Sequence, residues 1–320
     1  MDFRKLYQDI ITVSWSLFKI MIPTLIIVKL CQMAGLDLFL ADVMAPVMMV
    51  MGLPSELAII LTTTMLTNPY AGLIVAASVP EMAGLSTAQM SVLALYMLFT
   101  HSLPIEVLIS RRAGVRARMV LAVRIGGGFI ASVILAQFFA ATNLLSEPAI
   151  MHIPQFQLDT SLIGWLQTQL ISLVMIQLII IILLFFLEVL RIIGVERLMQ
   201  MILAPFLRAM RIGTRASTIA IVGVTLGLGF GGGLLIKDVE TGTIAKKDVF
   251  GVVCFINLLH SVFEDTAIVM LMGPSLLIVL GYRLLFTYLF VFLLMQAVRS
   301  LPNRFWQAHL VNHNIPQEAG

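Results

Sequence analysis

The pattern His-Ser-x-x-x-acid occurs twice in this chain, ending in Glu106 and in Asp265: His101-Ser102-Leu103-Pro104-Ile105-Glu106 and, 159 residues later, His260-Ser261-Val262-Phe263-Glu264-Asp265. The same offset carries Gly35 onto Gly194, Ala45-Pro46 onto Ala204-Pro205 and Met51 onto Met210 with no gap between the landmarks. The chain has 5 histidines in 320 residues, so coincidence is a poor account of two in register, and an internal duplication follows. Two copies of one unit, each with a histidine and a carboxylate inside apolar sequence, is the way a membrane transporter with a midplane site is commonly built.

The setting is a bilayer. Residues are 60% hydrophobic and 12% charged, about half the charge of an ordinary soluble domain, and the mean hydropathy is +1.02. Crossing about 30 Å of hydrocarbon takes roughly 20 helical residues. Continuous apolar runs of that order fall near 11–31, 88–110, 116–140, 162–190 and 275–298. The run at 162–190 would be roughly 43 Å long at about 1.5 Å per residue, which implies tilt. The first run is too long for a signal peptide and lacks a small-residue cleavage site, so it reads as a retained span. Cys31 and Cys254 read as small buried hydrophobes.

Charge sets the topology. Lys and Arg gather at Arg4 and Lys5, at Arg111 to Arg118, across Arg191 to Arg215, at Lys237 to Lys247, and at Arg299 and Arg304, whereas 141–161 has none. By the positive-inside rule the clusters and both termini are cytoplasmic and the linker 141–161 is external. Each half then crosses an odd number of times, so the repeats are inverted. The expected organisation is a first repeat over 1–140, the external linker 141–161, a second repeat over 162–298 and a polar tail over 299–320. The fold class is an all-α polytopic membrane protein, each repeat containing a spanning helix, an interfacial helix, a re-entrant hairpin, a broken helix and a spanning helix.

The hairpins are predicted over 55–80 and 214–236, because a simple span at 55–80 would return Arg111 and Arg112 to the outer face. The first tip is placed at Thr67-Asn68-Pro69-Tyr70-Ala71-Gly72, where proline and glycine interrupt a helix. The second tip is Gly227-Leu228-Gly229-Phe230-Gly231-Gly232-Gly233, read as too glycine-rich for a stable helix. Irregular backbone at membrane depth is tolerated only where protein or a water-filled cavity satisfies it, so two such places indicate a solute cavity.

Candidate binding residues follow. Within helices 88–110 and 248–272, Ser102 and Glu106, and Ser261 and Asp265, lie one turn apart with His101 and His260 beside them. Pro104 is expected to kink the first helix. A free carboxylate in hydrocarbon costs several kcal/mol (~ order of magnitude), so Glu106, Glu264 and Asp265 must face a polar interior or pair, and the histidines are natural partners. The alternative for these residues is a hydrogen-bond network that pins helices together. Asn257, one turn before His260, can join the same face. Thr67 and Asn68 supply polar groups on the first hairpin, and Gly229 and Gly231 backbone amides on the second. A glycine run is equally a device for letting two backbones touch. Lys19 reads as snorkelling or paired with an acid. His309 and His313 lie in the tail, which reads as interfacial or loosely ordered.

The segments MIPTLIIVKL, LAPFLRAMRIG, GGGLLIKD and HSVFEDTAIVMLMG resemble the nucleoside-recognition, or Gate-domain, membrane proteins, a group that includes spore maturation proteins A and B and the membrane part of the ferrous iron permease. The succession of elements is also similar to the core of concentrative nucleoside transporters. The resemblance covers about 11–298 and implies an elevator-like division, with hairpins and broken helices moving against a scaffold. The Gln-Thr-Glu run that contacts nucleoside in those transporters has no counterpart at Thr62 to Gly72, and the permease's cysteine-bearing motif is also missing.

The function expected is secondary-active transport of a small polar or anionic solute coupled to an ion gradient, with Na+ or H+ as coupling ion and no organic cofactor. A divalent metal ion permease and a non-transporting envelope assembly or regulatory protein are the alternatives; no residue is assigned to a metal. No HExxH, nucleophile elbow or phosphate loop suggests an enzyme. The expected surroundings are the lipid bilayer of a bacterial inner membrane and a solute or ion substrate. A homo-oligomer is expected, and no nucleic-acid partner.

Overall fold

A computed structural model describes residues 3–153 and 162–312 of the chain. Its described part is helical. In chain order the helices are α1 (Phe3–Met33), α2 (Leu36–Val50), α3 (Ala58–Leu66), α4 (Pro69–Ala76), α5 (Thr87–Thr100), α6 (Leu103–Arg112), α7 (Ala117–Leu121), α8 (Gly128–Thr142), α9 (Leu162–Ile193), α10 (Val195–Ala209), α11 (Thr214–Leu226), α12 (Leu228–Glu240), α13 (Lys246–Leu258), α14 (Val262–Met270), α15 (Arg283–Arg299) and α16 (Asn303–Phe305). Single π-helical turns lie at Ala122–Gly127, between α7 and α8, and at Leu277–Tyr282, before α15.

Among the described residues, four helical stretches are long and apolar enough to cross a membrane: Ala117–Thr142, Leu166–Leu190, Lys246–Met270 and Leu277–Arg299. Two bent pairs, Ala41–Val50 with Ser55–Leu66 and Thr87–Thr100 with Leu103–Arg112, raise this to six if each pair is one span. α9 leaves Ile163, Leu166, Val174 and Ile182 more than half exposed over a broad face. A long helix that shows so broad an apolar face belongs in lipid.

Local conformation repeats at the offset of 159. Gly35 and Gly194 precede α2 and α10 in the left-handed region, with φ of 69° and 83°. Pro46 and Pro205 lie inside those helices. Gly52 and Arg211, Ser102 and Ser261, and Gly114 and Gly273 are three more pairs in which both members have positive φ. For serine and arginine this conformation costs on the order of 1–2 kcal/mol, so its retention in matching places is a property of the repeated unit. A β-carbon on Gly72 would lie 1.9 Å from Thr64 Oγ1, and one on Gly231 would lie 2.4 Å from Gly223 Cα. These are again equivalent positions.

The chain forms two compact units. The first comprises Met1–Ser102, Ser132–Ile193 and Ala267–Ser275. In it α3 and α4 form a hairpin broken at Thr67 and Asn68, as expected; Asn68 Oδ1 accepts from the Ala71 amide at 2.9 Å, capping α4 behind Pro69. A capping box of Ser86 and Gln89 starts α5. The linker is tied to this start, since the amides of Thr87 and Ala88 donate to Glu147 O and Leu145 O, each at 2.8 Å. Linker residues 154–161 lie outside the described part. Lys19 is exposed on α1 with its ammonium 5.0 Å from the Trp15 ring centre, a cation–π contact.

The second unit comprises Leu103–Ala131, Gly194–Thr266 and Leu276–Gly320. Here α10 buries Met199, Leu203 and Leu207 along one face, the i, i+4 spacing of an amphipathic helix. The hairpin of α11 and α12 breaks at Gly227 alone, with φ of 92°. Gly229 to Gly233 do not form the irregular tip that was expected; they are the first turns of α12. The reason is packing: Gly231 Cα faces the Gly223 backbone, and close contact of two glycine helices offsets the backbone entropy of glycine. The tail also departs from expectation. Trp306, Leu310 and Val311 are buried, and Arg116 donates from Nε to Val311 O at 3.1 Å and from Nη2 to Gln307 O at 2.6 Å. Arg118 Nη2 lies 2.9 Å from His309 Nδ1; His313 lies outside the described residues.

Candidate functional site

Both His-Ser-acid elements coincide with a break in a helix. α5 ends at Thr100, His101 and Ser102 form a turn, and α6 restarts at Leu103 with a bend of 40°. The break precedes Pro104, which occupies the first turn of α6, where a missing amide hydrogen costs nothing. α13 ends at Leu258 and α14 restarts at Val262. Glu106 lies in the first turn of α6, and Glu264 and Asp265 in the first turn of α14. The positive end of the new helix dipole favours a carboxylate there, which explains acid at this spacing after each break.

The two histidines are held alike. Nδ1 of His101 is 3.3 Å from Met97 O, and Nδ1 of His260 is 2.8 Å from Ile256 O, the equivalent carbonyl one turn back. Both rings are buried. A carbonyl only accepts, so each of these bonds forms in the tautomer, or the imidazolium, that carries hydrogen at Nδ1. His101 and Ser102 belong to the first unit, where the Ser102 amide donates to Thr64 O at 3.1 Å and its hydroxyl to Thr67 O at 2.8 Å. These bonds satisfy carbonyls at the end of α3, so the helix break is stitched to the hairpin tip. Thr67 Oγ1 itself donates to Thr63 O at 2.5 Å. In the second unit Ser261 stands against the other hairpin's break: a β-carbon on Gly227 would be 2.7 Å from Ser261 Oγ.

The second unit gathers a buried charge network. Glu106 Oε1 is 2.9 Å from His260 Nε2, and Glu106 Oε2 forms an ion pair with Arg124 Nη1. The two His-Ser-acid elements therefore touch, through Glu106 of one and His260 of the other. Arg124 Nη1 also reaches Asn257 Oδ1 at 3.4 Å, and Asn257 Nδ2 donates to Ser110 Oγ at 2.8 Å and to Val253 O. Arg283 donates from Nε to Leu258 O at 3.1 Å and from Nη2 to His260 O at 3.5 Å, satisfying carbonyls that the end of α13 leaves without helical partners. Asp265 lies within electrostatic range of Arg283, Arg124 and Glu264.

Arg124 and Arg283 are fully buried and lie 159 residues apart, so they are repeat mates like Glu106 and Asp265. Sequence reading missed them. The offset that pairs the histidines would have found them, but each stands alone in a spanning run and looks like a boundary charge. Arg124 falls within one π turn and Arg283 directly after the other; such turns rotate the following side chains and recur at functional sites.

Farther along α6 a cavity of about 800 Å³ is lined by Leu108, Arg111, Arg112, Arg116, Val239 and Glu240, among others. Its three arginines against one glutamate give it a positive lining.

The fold and this network define a polytopic helical membrane protein with ionisable groups buried at helix breaks. Among known proteins it is similar to an uncharacterized membrane protein, YvoD, of Bacillus subtilis (strain 168), with 28% identity over 285 residues, which is 83% of this chain and 86% of the relative. No family model matches the chain, and no solved structure matches it significantly.

Proposed function

We propose that this protein is a secondary-active transporter of a bacterial inner membrane that moves a small polar or anionic solute, coupled to a Na+ or H+ gradient. The observation that carries the reading is the contact of Glu106 with both His260 and Arg124, which joins the two repeated elements at a helix break. Ionisable groups inside spanning helices are expensive, and where they persist they mark solute or ion pathways. Two broken hairpins and two broken helices, each pair related by the offset, support an inverted-repeat transporter of the Gate-domain kind, with hairpins and broken helices as the moving part. The positive cavity at Arg111, Arg112 and Arg116 favours an anionic solute and, by the positive-inside rule, a cytoplasmic position for that face and both termini. The protein works without a catalytic step or organic cofactor, embedded in lipid as a homo-oligomer.

The test is uptake into proteoliposomes. Purified protein is screened by thermal shift with nucleosides, organic anions and divalent metals, and the stabilising compounds are offered as labelled solutes under Na+ and pH gradients. Uptake of an anion or polar solute, lost in a His101→Ala, His260→Ala double variant that still folds, is the expected result. Normal uptake by that variant overturns the site; uptake of divalent metals alone favours a permease instead.

A further inference from the structure

We infer that Glu106 and His260 together hold one exchangeable proton, which makes H+ the coupling ion of the proposed transporter. This rests on the transport reading only for the word coupling; the proton site follows from donor and acceptor chemistry. His260 Nδ1 faces a backbone carbonyl at 2.8 Å and Nε2 faces a carboxylate oxygen at 2.9 Å. A neutral imidazole has one N–H and can serve only one of these two acceptors. The second contact then requires another hydrogen between the pair. Either His260 is an imidazolium beside ionised Glu106, or neutral His260 accepts from a protonated Glu106. Both descriptions contain the same number of protons, one more than a neutral ring beside a carboxylate.

The surroundings fit a single extra proton. From the π turn, Arg124 binds the other Glu106 oxygen and favours the ionised carboxylate, so the proton is drawn to Nε2. Ser110 of α6 and Asn257 of α13 are neutral and bonded to each other. Arg283, beside α13, bonds the carbonyls flanking the break, and Asp265 and Glu264 project from the start of α14. His101 lies five residues before Glu106 in the chain.

Loss of the proton has a mechanical consequence. One ring nitrogen would then face an acceptor with no hydrogen between them, Nε2 against Glu106 Oε1 at 2.9 Å or Nδ1 against Ile256 O at 2.8 Å. An unsatisfied buried contact of this kind is costly, so deprotonation loosens the hold on His260 at the break after α13, the joint between the two repeated elements. Reprotonation restores it. The cycle moves one proton on and off the pair, with no other bond made or broken.

The proton is read without any solute. Full-length protein carrying ¹⁵N-histidine is placed in lipid nanodiscs, and the His260 ring nitrogens, assigned by their loss in His260→Gln, are followed by solid-state NMR from about pH 5 to about pH 9. Protonated Glu106 is followed by its infrared carboxyl band, assigned with Glu106→Gln. The expected result is an imidazolium or a protonated Glu106 at low pH, giving way to a ring with hydrogen at one nitrogen only beside an ionised carboxylate. In Glu106→Gln the glutamine amide donates to Nε2, so the ring stays neutral near pH 7 and the transition disappears or moves by more than one pH unit. A ring protonated at one nitrogen beside ionised Glu106 across the whole range overturns the inference, and so does an unchanged transition in Glu106→Gln. Because no solute enters, failure of uptake would sink the transport reading separately.

Discussion

Replacing Arg124 by methionine keeps most of the volume and removes the charge that faces Glu106. Arg124 has no exposed surface and the Glu106 side chain is 8% exposed, so water cannot re-enter to solvate the carboxylate left behind. Breaking a buried pair by removing one partner costs about 3–5 kcal/mol, because an uncompensated charge remains. His260 still bonds the other oxygen, which places the expected cost toward the lower end, about 3 kcal/mol. A second variant, Arg124→Met with Glu106→Gln, removes the stranded charge and is expected to recover more than half of that loss; such coupling between contacting residues amounts to about 0.5–3 kcal/mol. The assay is the half-life of the folded, monodisperse protein in detergent at one elevated temperature, a rate being the proper measure where unfolding is irreversible. At about 1.4 kcal/mol per factor of ten, the single variant should be lost on the order of a hundred times faster. A single variant as durable as the parent, or a double variant as poor as the sum of its parts, would refute the idea that Arg124 is there to balance Glu106.

Three further outcomes are expected. Gly231→Ala drives a β-carbon to 2.4 Å from Gly223 Cα, which is backbone and cannot move aside, and should destabilise by about 1–3 kcal/mol; Gly233→Ala, with nothing within 4 Å, should be neutral or slightly stabilising, by about 0.5–1 kcal/mol. Equal melting temperatures for the two would contradict the backbone contact. At the open end of the second hairpin, Arg215 grips Asp238 with bonds of 2.5 and 2.9 Å and holds its carboxyl below the usual range. That contribution is present above the unfolded carboxylate value of about 3.9 and lost as pH falls through the lower folded value, so Arg215→Gln should show a small defect at neutral pH that shrinks on acidification below about pH 4. Arg116→Gln removes the guanidinium bonds that tie Gln307 and Val311 to the unit, and should expose the tail to limited proteolysis near Trp306 while leaving the helical content by circular dichroism unchanged.

Much of the architecture was legible because apolar periodicity and helix breakers act locally. Asn68-Pro69 marked the first hairpin tip, since the extended residue before a proline and the cap it offers are decided within four residues. The glycine run misled for the same reason in reverse. Glycine's local preference is against helix, and only the Gly223 backbone lying against Gly231 makes helix the better state. His101 and His260 were found through their offset, and the equivalent Nδ1 bonds to Met97 and Ile256 show the repeated unit reproducing itself down to one carbonyl. The tail was misjudged because its partners, Gly114 and Arg116, lie nearly two hundred residues away.

Residue order alone was enough for the membrane, the duplication and the first hairpin's break at Asn68-Pro69, all of which arise from hydropathy and backbone chemistry over short stretches. Which charges neutralise one another was settled by packing. Glu106 is 18 residues from Arg124 and 154 from His260, and it binds both because a π turn and a broken helix rotate those two side chains toward one buried spot. Burial then enforces the pairing, since a carboxylate deprived of water keeps its charge only beside a partner.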